Sequence, residues 1–243
     1  MMPNDFFRFK QFTVRHDKCA MKVCTDACLF GSLLPTSSGG RGIISRVLDI
    51  GTGTGLLALM YAQKNPNAII DAVEIDNAAS KQAKENFYAS PWKERLHVYN
   101  VSIQQFTSDF STKYDLIIAN PPFYENELKS EDEKRNIALH SAELSLEELI
   151  SAVDKLLKDD GIFSVLLPYH RTKHFEQLAA KQNLFVKEKI FVKQTPKHSY
   201  FRSILRLAKN VEDPTESEQI IMDSENKYTT RFTELLKEYY LYL

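Results

Sequence analysis

Two short segments carry residues whose types and spacing point to chemistry. The first is Asn120-Pro121-Pro122-Phe123, which closes the apolar run Tyr114-Asp115-Leu116-Ile117-Ile118-Ala119. The Asn120 side-chain oxygen and the Pro121 carbonyl offer two hydrogen-bond acceptors, and Phe123 offers an aromatic face. Prolines preset φ and restrict the preceding residue, so the acceptors sit on a stiff turn. A planar, ring-bound amine fits such a notch. Its lone pair is delocalised into the ring, and accepting both hydrogens in a dry site draws the nitrogen toward a reactive, pyramidal geometry. Phe123 would stack on the ring, worth about 1–3 kcal/mol for a base–aromatic contact.

The second segment is Asp49-Ile50-Gly51-Thr52-Gly53-Thr54-Gly55, after the apolar run that begins at Arg46. Gly51, Gly53 and Gly55 allow a tight turn, close backbone approach and a helix N-terminus aimed at a ligand. A dinucleotide fingerprint would need glycine at position 56, where the chain has Leu56, so a pyrophosphate is disfavoured. An adenosyl group with an amino-acid tail, as in S-adenosylmethionine, fits better. Glu74, ending the next strand, can accept from a ribose diol, with Ile75 beside it. Glu74 and Asp76 also suit caps of the following helix, Asp76 the more so. Asp49 can face the tail's ammonium or simply form the turn. Ser102 and Ile103 fall where the adenine edge would lie, although turn and core roles serve them equally well. The sulfonium donor is already activated, so the reading expects no metal, no covalent intermediate and no obligatory strong base. Orientation of methyl and nitrogen does most of the work.

These segments need a scaffold. Strand-like runs fall at 46–50, 69–74, 96–101, 114–120 and 162–167, with helical stretches at 55–64, 77–89 and 145–158 between them. In the last of these Ser145 and Glu148 make a capping box, and Gly161 is read as the stop. Alternating strands and helices predict a doubly wound α/β fold with a mostly parallel sheet and helices on both faces. Runs at 184–193 and 200–209, joined by a Pro-containing polar loop, predict an antiparallel hairpin at the sheet's edge. A strand at 219–222 and a final helix using Phe232, Leu235, Leu236 and Tyr239 follow, and 213–217 reads as a flexible turn. The chain reads as one domain over 1–243, with 1–45 an N-terminal and 210–243 a C-terminal extension.

The 243 residues are 43% hydrophobic and 26% charged, with formal net charge −1, which is ordinary for a soluble globular protein and announces no global nucleic-acid field. Locally the balance differs. Residues 187–209 hold seven cations against Glu188, and residues 8–22 hold five against Asp17. Phe9, Phe12, Phe191, Tyr200 and Phe201 are interleaved with them. Such a mixture grips phosphates and stacks unpaired bases, although charged edge strands also serve simply to stay solvated. Arg8, Lys10, Lys193, Lys197 and Arg202 are the candidate RNA contacts. The charged run Lys129–Arg135 reads as a solvated loop, or as a lid with Arg135 or His140 near the base. Cys19, Cys24 and Cys28 lack CxxC spacing and read as reduced, inert thiols. No long apolar segment marks a signal peptide or a membrane span, which points to a cytoplasmic protein with no membrane partner; a monomer is the expectation.

The order VLDIGTGTG, AVEID, NPPF resembles class I S-adenosylmethionine-dependent methyltransferases acting on planar amines. The likeness extends through Phe9–Phe12, Cys19–Asp26, Ser90-Pro91-Trp92, Tyr228-Thr229 and Tyr239–Leu241, covering essentially the whole chain, and is similar to the bacterial tRNA(Val) adenine-N(6) methyltransferases that modify adenine 37. That resemblance implies a seven-stranded sheet, S-adenosylmethionine as donor, tRNA as partner and base contacts from Asn120 to Phe123. It also implies that Lys22, Thr25 and Asp26 lie near the cofactor's methionine end, a stretch that by itself reads as a capped helix start. The chain departs from the family pattern at Phe123 (often Tyr), Ser102 (often acidic) and Cys24 (often Gly). Three alternatives stand beside this reading: a protein glutamine methyltransferase, which uses a similar Asn-Pro-Pro turn; an adenine or guanine methyltransferase of another RNA or of DNA; and a catalytically silent RNA-binding scaffold.

Overall fold

The apolar runs are short, β-branched and buried almost without alternation, as strands covered on both faces must be. The computed structural model describes residues 5–19, 22–37, 43–121 and 144–243. Within them β3 (Arg46–Ile50), β4 (Ile69–Val73), β5 (Leu96–Tyr99), β6 (Tyr114–Ala119) and β7 (Leu157–Pro168) form a parallel array. Beyond β7 come β9 (Tyr200–Ala208), β8 (Phe185–Lys193) and β10 (Thr215–Ile220), giving an eight-stranded sheet in the order β10-β8-β9-β7-β6-β3-β4-β5. Helices α1 (Thr25–Leu33), α2 (Leu56–Lys64), α3 (Asn77–Tyr88) and α7 (Thr230–Leu236) pack on one face. Helices α4 (Ile103–Asp109), α5 (Leu146–Leu156) and α6 (Thr172–Lys181) pack on the other. The predicted doubly wound architecture is what the chain adopts.

Three details differ from the expectations. The sheet has eight strands rather than seven, because β10 pairs parallel to β8, so the hairpin lies inside the edge. The polar stretch 213–217 is expected to be a flexible turn ahead of a strand at 219–222, yet Thr215–Ile220 is the strand. It becomes a strand because Glu216 and Glu218 reach Lys189 and Lys193 of β8 at 3.4 and 2.8 Å. Gly161 does not stop a helix. α5 ends at Leu156 and β7 starts at once, with the Ser145–Glu148 capping box formed as predicted. A Cβ on Gly161 would come within 2.7 Å of the Leu157 side chain and 3.0 Å of the Tyr114 carbonyl. The N-terminal extension also holds an unforeseen hairpin, β1 (Phe6–Arg8) with β2 (Thr13–Arg15). It is tied to the C-terminal segment by a Phe9–Tyr240 bridge and a 2.8 Å bond from the Lys10 amide to the Tyr239 carbonyl.

Two carboxylates at the amino half of the sheet fix strand register. Asp115 Oδ2 accepts from the Ser45 and Arg46 amides at 3.0 and 2.8 Å and from the Ser45 hydroxyl, while Oδ1 pairs with Lys158 at 2.5 Å. One side chain on β6 thereby ties down the starts of β3 and β7. Buried Asp71 on β4 accepts from Tyr114 of β6 at 2.9 Å and, at 3.4 Å, from Tyr99 of β5 and Arg46 of β3. Burial raises the pKa of Asp115, but donation from Lys158, Arg46 and Ser45 outweighs it and holds the pKa below its ordinary value. Its stabilisation is therefore present at neutral pH and is lost as the pH falls through that depressed value. Asp115→Ala strands two amides in a mostly buried position and should lower the free energy of urea unfolding at pH 7 by about 2 kcal/mol or more. An unchanged urea midpoint would contradict this clamp.

Candidate active site

Register carries the Asn-Pro turn to the glycine turn. Ile50 pairs with Ala119 on β6 and with Val73 on β4, and Val73 pairs with Tyr99 on β5. The next residue of each strand therefore stands at one level across the carboxyl edge: Asn120, Gly51, Glu74 and Asn100. Adjacent strands lie about 5 Å apart, so Asn120 and Gly51 are backbone neighbours. The chain runs from β3 outward to β4 and β5 and then returns to place β6 on the other side of β3. The gap between β3 and β6 is thus the topological switch point, where open α/β sheets bind ligands.

The glycine turn has φ of +69° at Gly51, +55° at Gly53 and +83° at Gly55, conformations that side chains rarely adopt. The three have different surroundings. A Cβ on Gly51 or Gly53 would meet nothing within 4 Å, whereas one on Gly55 would come within 2.5 Å of the Phe87 ring. Gly55 is therefore small because α3 packs on it, and Gly51 and Gly53 border open space. Glu74 spans the turn, accepting from the Gly53 amide and the Asp76 amide, both at 2.9 Å. Asp76 caps α3 through the Ala79 amide. Ile75, beside Glu74, is a large apolar side chain left 57% exposed. Asn100 donates to the Glu74 and Ile75 carbonyls and holds that corner. Ser102 caps α4 through the Gln105 amide and Ile103 is buried in the core, so the turn and core roles left open for them are filled.

Asp49 is fully buried, and its Oδ2 accepts from the Thr52 hydroxyl at 2.6 Å. Its Oδ1 has no hydrogen-bond partner among the described residues. Burial, followed by the nearby charge of Glu74, pushes its pKa up to about 7 against the pull of Thr52 and the Ala58 amide. A buried acceptor without a donor, beside a turn that borders open space, fits a cationic ligand group.

The segment flagged only by resemblance also comes to this edge. Cys19 lies close enough to Glu74 and Asp76 that, after burial, their charges raise its thiol pKa to about 11. Buried Cys28 is pushed up to about 12, burial first. Cys24 keeps an exposed side chain and is raised by partial desolvation and then by the Asp26 charge beside it, so none of the three has the lowered pKa of an activated nucleophile. Thr25 and Asp26 open α1, and Lys22 is exposed just before it. Asp26 pairs with Arg202 of β9 at 2.8 Å, so a residue expected at the cofactor and one expected at RNA hold each other. Sequence reasoning missed Asn86. Buried on α3, it donates to the Thr54 and Arg15 carbonyls and accepts from the Arg15 amide, joining the glycine turn to the N-terminal hairpin. Gln82 and Asn86 at i, i+4, on the helix face that also carries Ala79, Ala83 and Phe87, were the available signal.

Asn120 is half-buried and Pro121 buried; Pro122, Phe123, the Lys129–Arg135 run and His140 lie outside the described residues. Of the seven cations in 187–209, six are in ion pairs. Lys187 meets Glu212, Lys189 meets Glu176 and Glu216, and Lys193 meets Glu218. Arg202 meets Asp26, Arg206 meets Glu188, and Lys209 meets Asp154 and Asp159. Lys197 is exposed in the β8–β9 turn. The local positive balance of that stretch is largely neutralised, by Glu188 within it and by acids from elsewhere in the chain. Arg8 is exposed on β1, and the Lys10 ammonium donates to the Lys237 carbonyl at 2.5 Å. Among the described residues no group of three His, Cys, Asp or Glu is placed to hold a metal, and no helix is long and apolar enough to cross a membrane.

A family model described as the methyltransferase small domain matches residues 28–166. The chain belongs to that methyltransferase family. It is 43% identical to a tRNA1(Val) (adenine(37)-N6)-methyltransferase of Cytophaga hutchinsonii over all of both chains. A protein of the same name from Dyadobacter fermentans is 42% identical over 99% of each. In fold it is similar to a predicted O-methyltransferase from Agrobacterium tumefaciens (TM-score 0.66, 14% identity, covering 87% of this chain and 95% of that one). S-adenosylmethionine is the methyl donor of this methyltransferase class, and the unsatisfied Asp49 oxygen, the open space at Gly51 and Gly53, and Glu74 fit it.

Asp49 yields a pH test. Its folded pKa lies above the unfolded value, so its ionisation costs the fold nothing below about pH 4. The penalty grows between there and about pH 7 and is complete above that. Asp49→Asn should therefore be more stable than the parent at pH 8 without cofactor, the difference shrinking as the pH falls toward 4. The same variant should bind S-adenosylmethionine more weakly. A stability difference that stays flat from pH 4 to 8 in urea titrations would contradict this.

Proposed function

We propose that the protein transfers the methyl group of S-adenosylmethionine to the exocyclic N6 of adenine 37 in the anticodon loop of tRNA1(Val). The observation that carries this reading is the strand register that makes Asn120 the neighbour of Gly51, alongside full-length relatives bearing that name. Glu74 and the Gly51–Gly53 cradle would hold the adenosyl and ribose, Ile75 would pack against the adenine, and Asp49 would face the ammonium. Bound there, the donor supplies an activated methyl group.

The chain's own residues then have a limited task. The Asn120 oxygen and the Pro121 carbonyl each accept one amine hydrogen, localising the nitrogen lone pair and aiming it. The rigid turn holds that geometry before the base arrives, so little reorganisation is needed at the reacting centre. Position 37 lies in a single-stranded loop, and extruding its base costs less than from a duplex.

Asn120→Ala should lower kcat for tRNA methylation at least about a hundredfold, the loss typical of one preorganised polar group, while cofactor affinity stays within about twofold. Labelled cofactor with total tRNA, followed by nucleoside mass spectrometry, reads both product and rate. Near-normal N6-methyladenosine formation by the variant would remove Asn120 from this role. Product on another nucleoside would overturn the substrate assignment.

A further inference from the structure

The sheet edge that carries Asn120 also carries an aromatic cluster which the proposed chemistry does not use. Tyr169, the first residue after β7, stands 5.5 Å from Phe191 of β8 and 5.1 Å from Tyr200 of β9, measured between ring centroids. Phe191 and Tyr200 are themselves 5.3 Å apart. Two rings support Tyr169, yet it remains 40% exposed. Its backbone is fixed: the Thr172 hydroxyl donates to the Tyr169 carbonyl at 2.7 Å and contacts the Ser203 hydroxyl of β9 at 2.6 Å. Tyr200 is fixed as well, with the Lys193 ammonium 4.6 Å over its ring and Lys193 paired to Glu218.

The position is set by register. Ala119 pairs with Val165, so Asn120 is level with Leu166, and Tyr169 lies three residues further along the chain, just past the end of β7. At strand rise that is about 10 Å beyond the acceptor turn, one strand over. It lies on the side of β6 away from β3 and β4, where the cofactor cradle is. Exposed His170 and Lys173 follow Tyr169, and exposed Lys197 and His198 sit in the turn before Tyr200. Most of the cations of β8 and β9 are already paired with acids, so this edge has little charge with which to grip RNA. A rigid, partly exposed ring edged by a few cations instead matches the chemistry of a single-stranded base, a π-face with a phosphate on either side.

We propose that Tyr169, buttressed by Phe191 and Tyr200, is a stacking platform for an unpaired nucleotide immediately flanking the methylated adenine. The proposal rests on the RNA reading above, and Tyr169 acts as a positioning residue. It takes the base next to the target in the loop and so delivers the target to Asn120.

The test uses the full chain, intact tRNA, and anticodon stem-loops with 2-aminopurine at the nucleotide on either side of the target adenine. Tyr169→Ala should raise KM for tRNA about tenfold, with kcat within twofold and KM for S-adenosylmethionine unchanged. Tyr169→Phe should behave as the parent, and Tyr169→Leu, which keeps apolar packing without a π-face, should behave as the alanine variant. The parent should quench 2-aminopurine at one flanking position, and Tyr169→Leu should not. Equal KM and equal quenching in parent and Tyr169→Leu would overturn the platform while leaving the methylation reading intact. A parent that methylates no tRNA would overturn that reading and this proposal with it.

Discussion

Strand register is the constraint on which the site depends, and two carboxylates set it from the opposite end of the sheet. Asp115 holds the starts of β3 and β7 to β6, and Asp71 gathers donors from β3, β5 and β6. In a parallel sheet a slip of one residue turns every side chain to the other face. With the amino half locked, Asn120, Gly51, Glu74 and Asn100 emerge level at the carboxyl edge. No single hydrogen bond in the site creates that alignment. It is inherited from buried polar contacts several residues away, where water competes less for each bond.

The glycine turn divides its labour in the same way. Gly55 is dictated by packing, since the Phe87 ring occupies the space a side chain would need. Gly51 and Gly53 face open space, and Asp49 and Glu74 supply the polar groups around it. Keeping Asp49 buried with an unsatisfied oxygen is costly to the isolated fold. That cost is the expected mark of a group whose partner arrives with the ligand, and such tensions between stability and function concentrate at binding sites.

The fold was largely legible because its signals are local. Continuous apolar runs, the Ser145–Glu148 box and the glycine turn each depend on a few adjacent residues, and β3, β6 and α5 formed within a residue or two of where the pattern put them, apart from the last turn of α5. What was hidden depends on partners distant in sequence. β10 is polar over 215–219 and overlaps the strand expected at 219–222 only at its end; the rest becomes a strand where β8 presents lysines to its glutamates. The same pairing explains why the basic stretch 187–209 is not a bare cationic face: charge counted along a segment cannot register acids that the fold brings from elsewhere, such as Asp26 to Arg202. Asn86 escaped notice for the same reason, since its partners Arg15 and Thr54 lie 71 and 32 residues away; the β1–β2 hairpin pairs locally, and what the sequence hides is its bridge from Phe9 to Tyr240.

The central claim is that the residue 120–121 turn presents a ring-bound amine beside the glycine cradle. The most direct measurement is a crystal structure of the protein with S-adenosylhomocysteine and a tRNA1(Val) anticodon stem-loop. The account predicts that adenine 37 is flipped out, with its N6 within hydrogen-bond distance of both the Asn120 side-chain oxygen and the Pro121 carbonyl, and with the cofactor sulfur on the Gly51 side. An adenine seated elsewhere, or an N6 whose hydrogens meet neither acceptor, would contradict it.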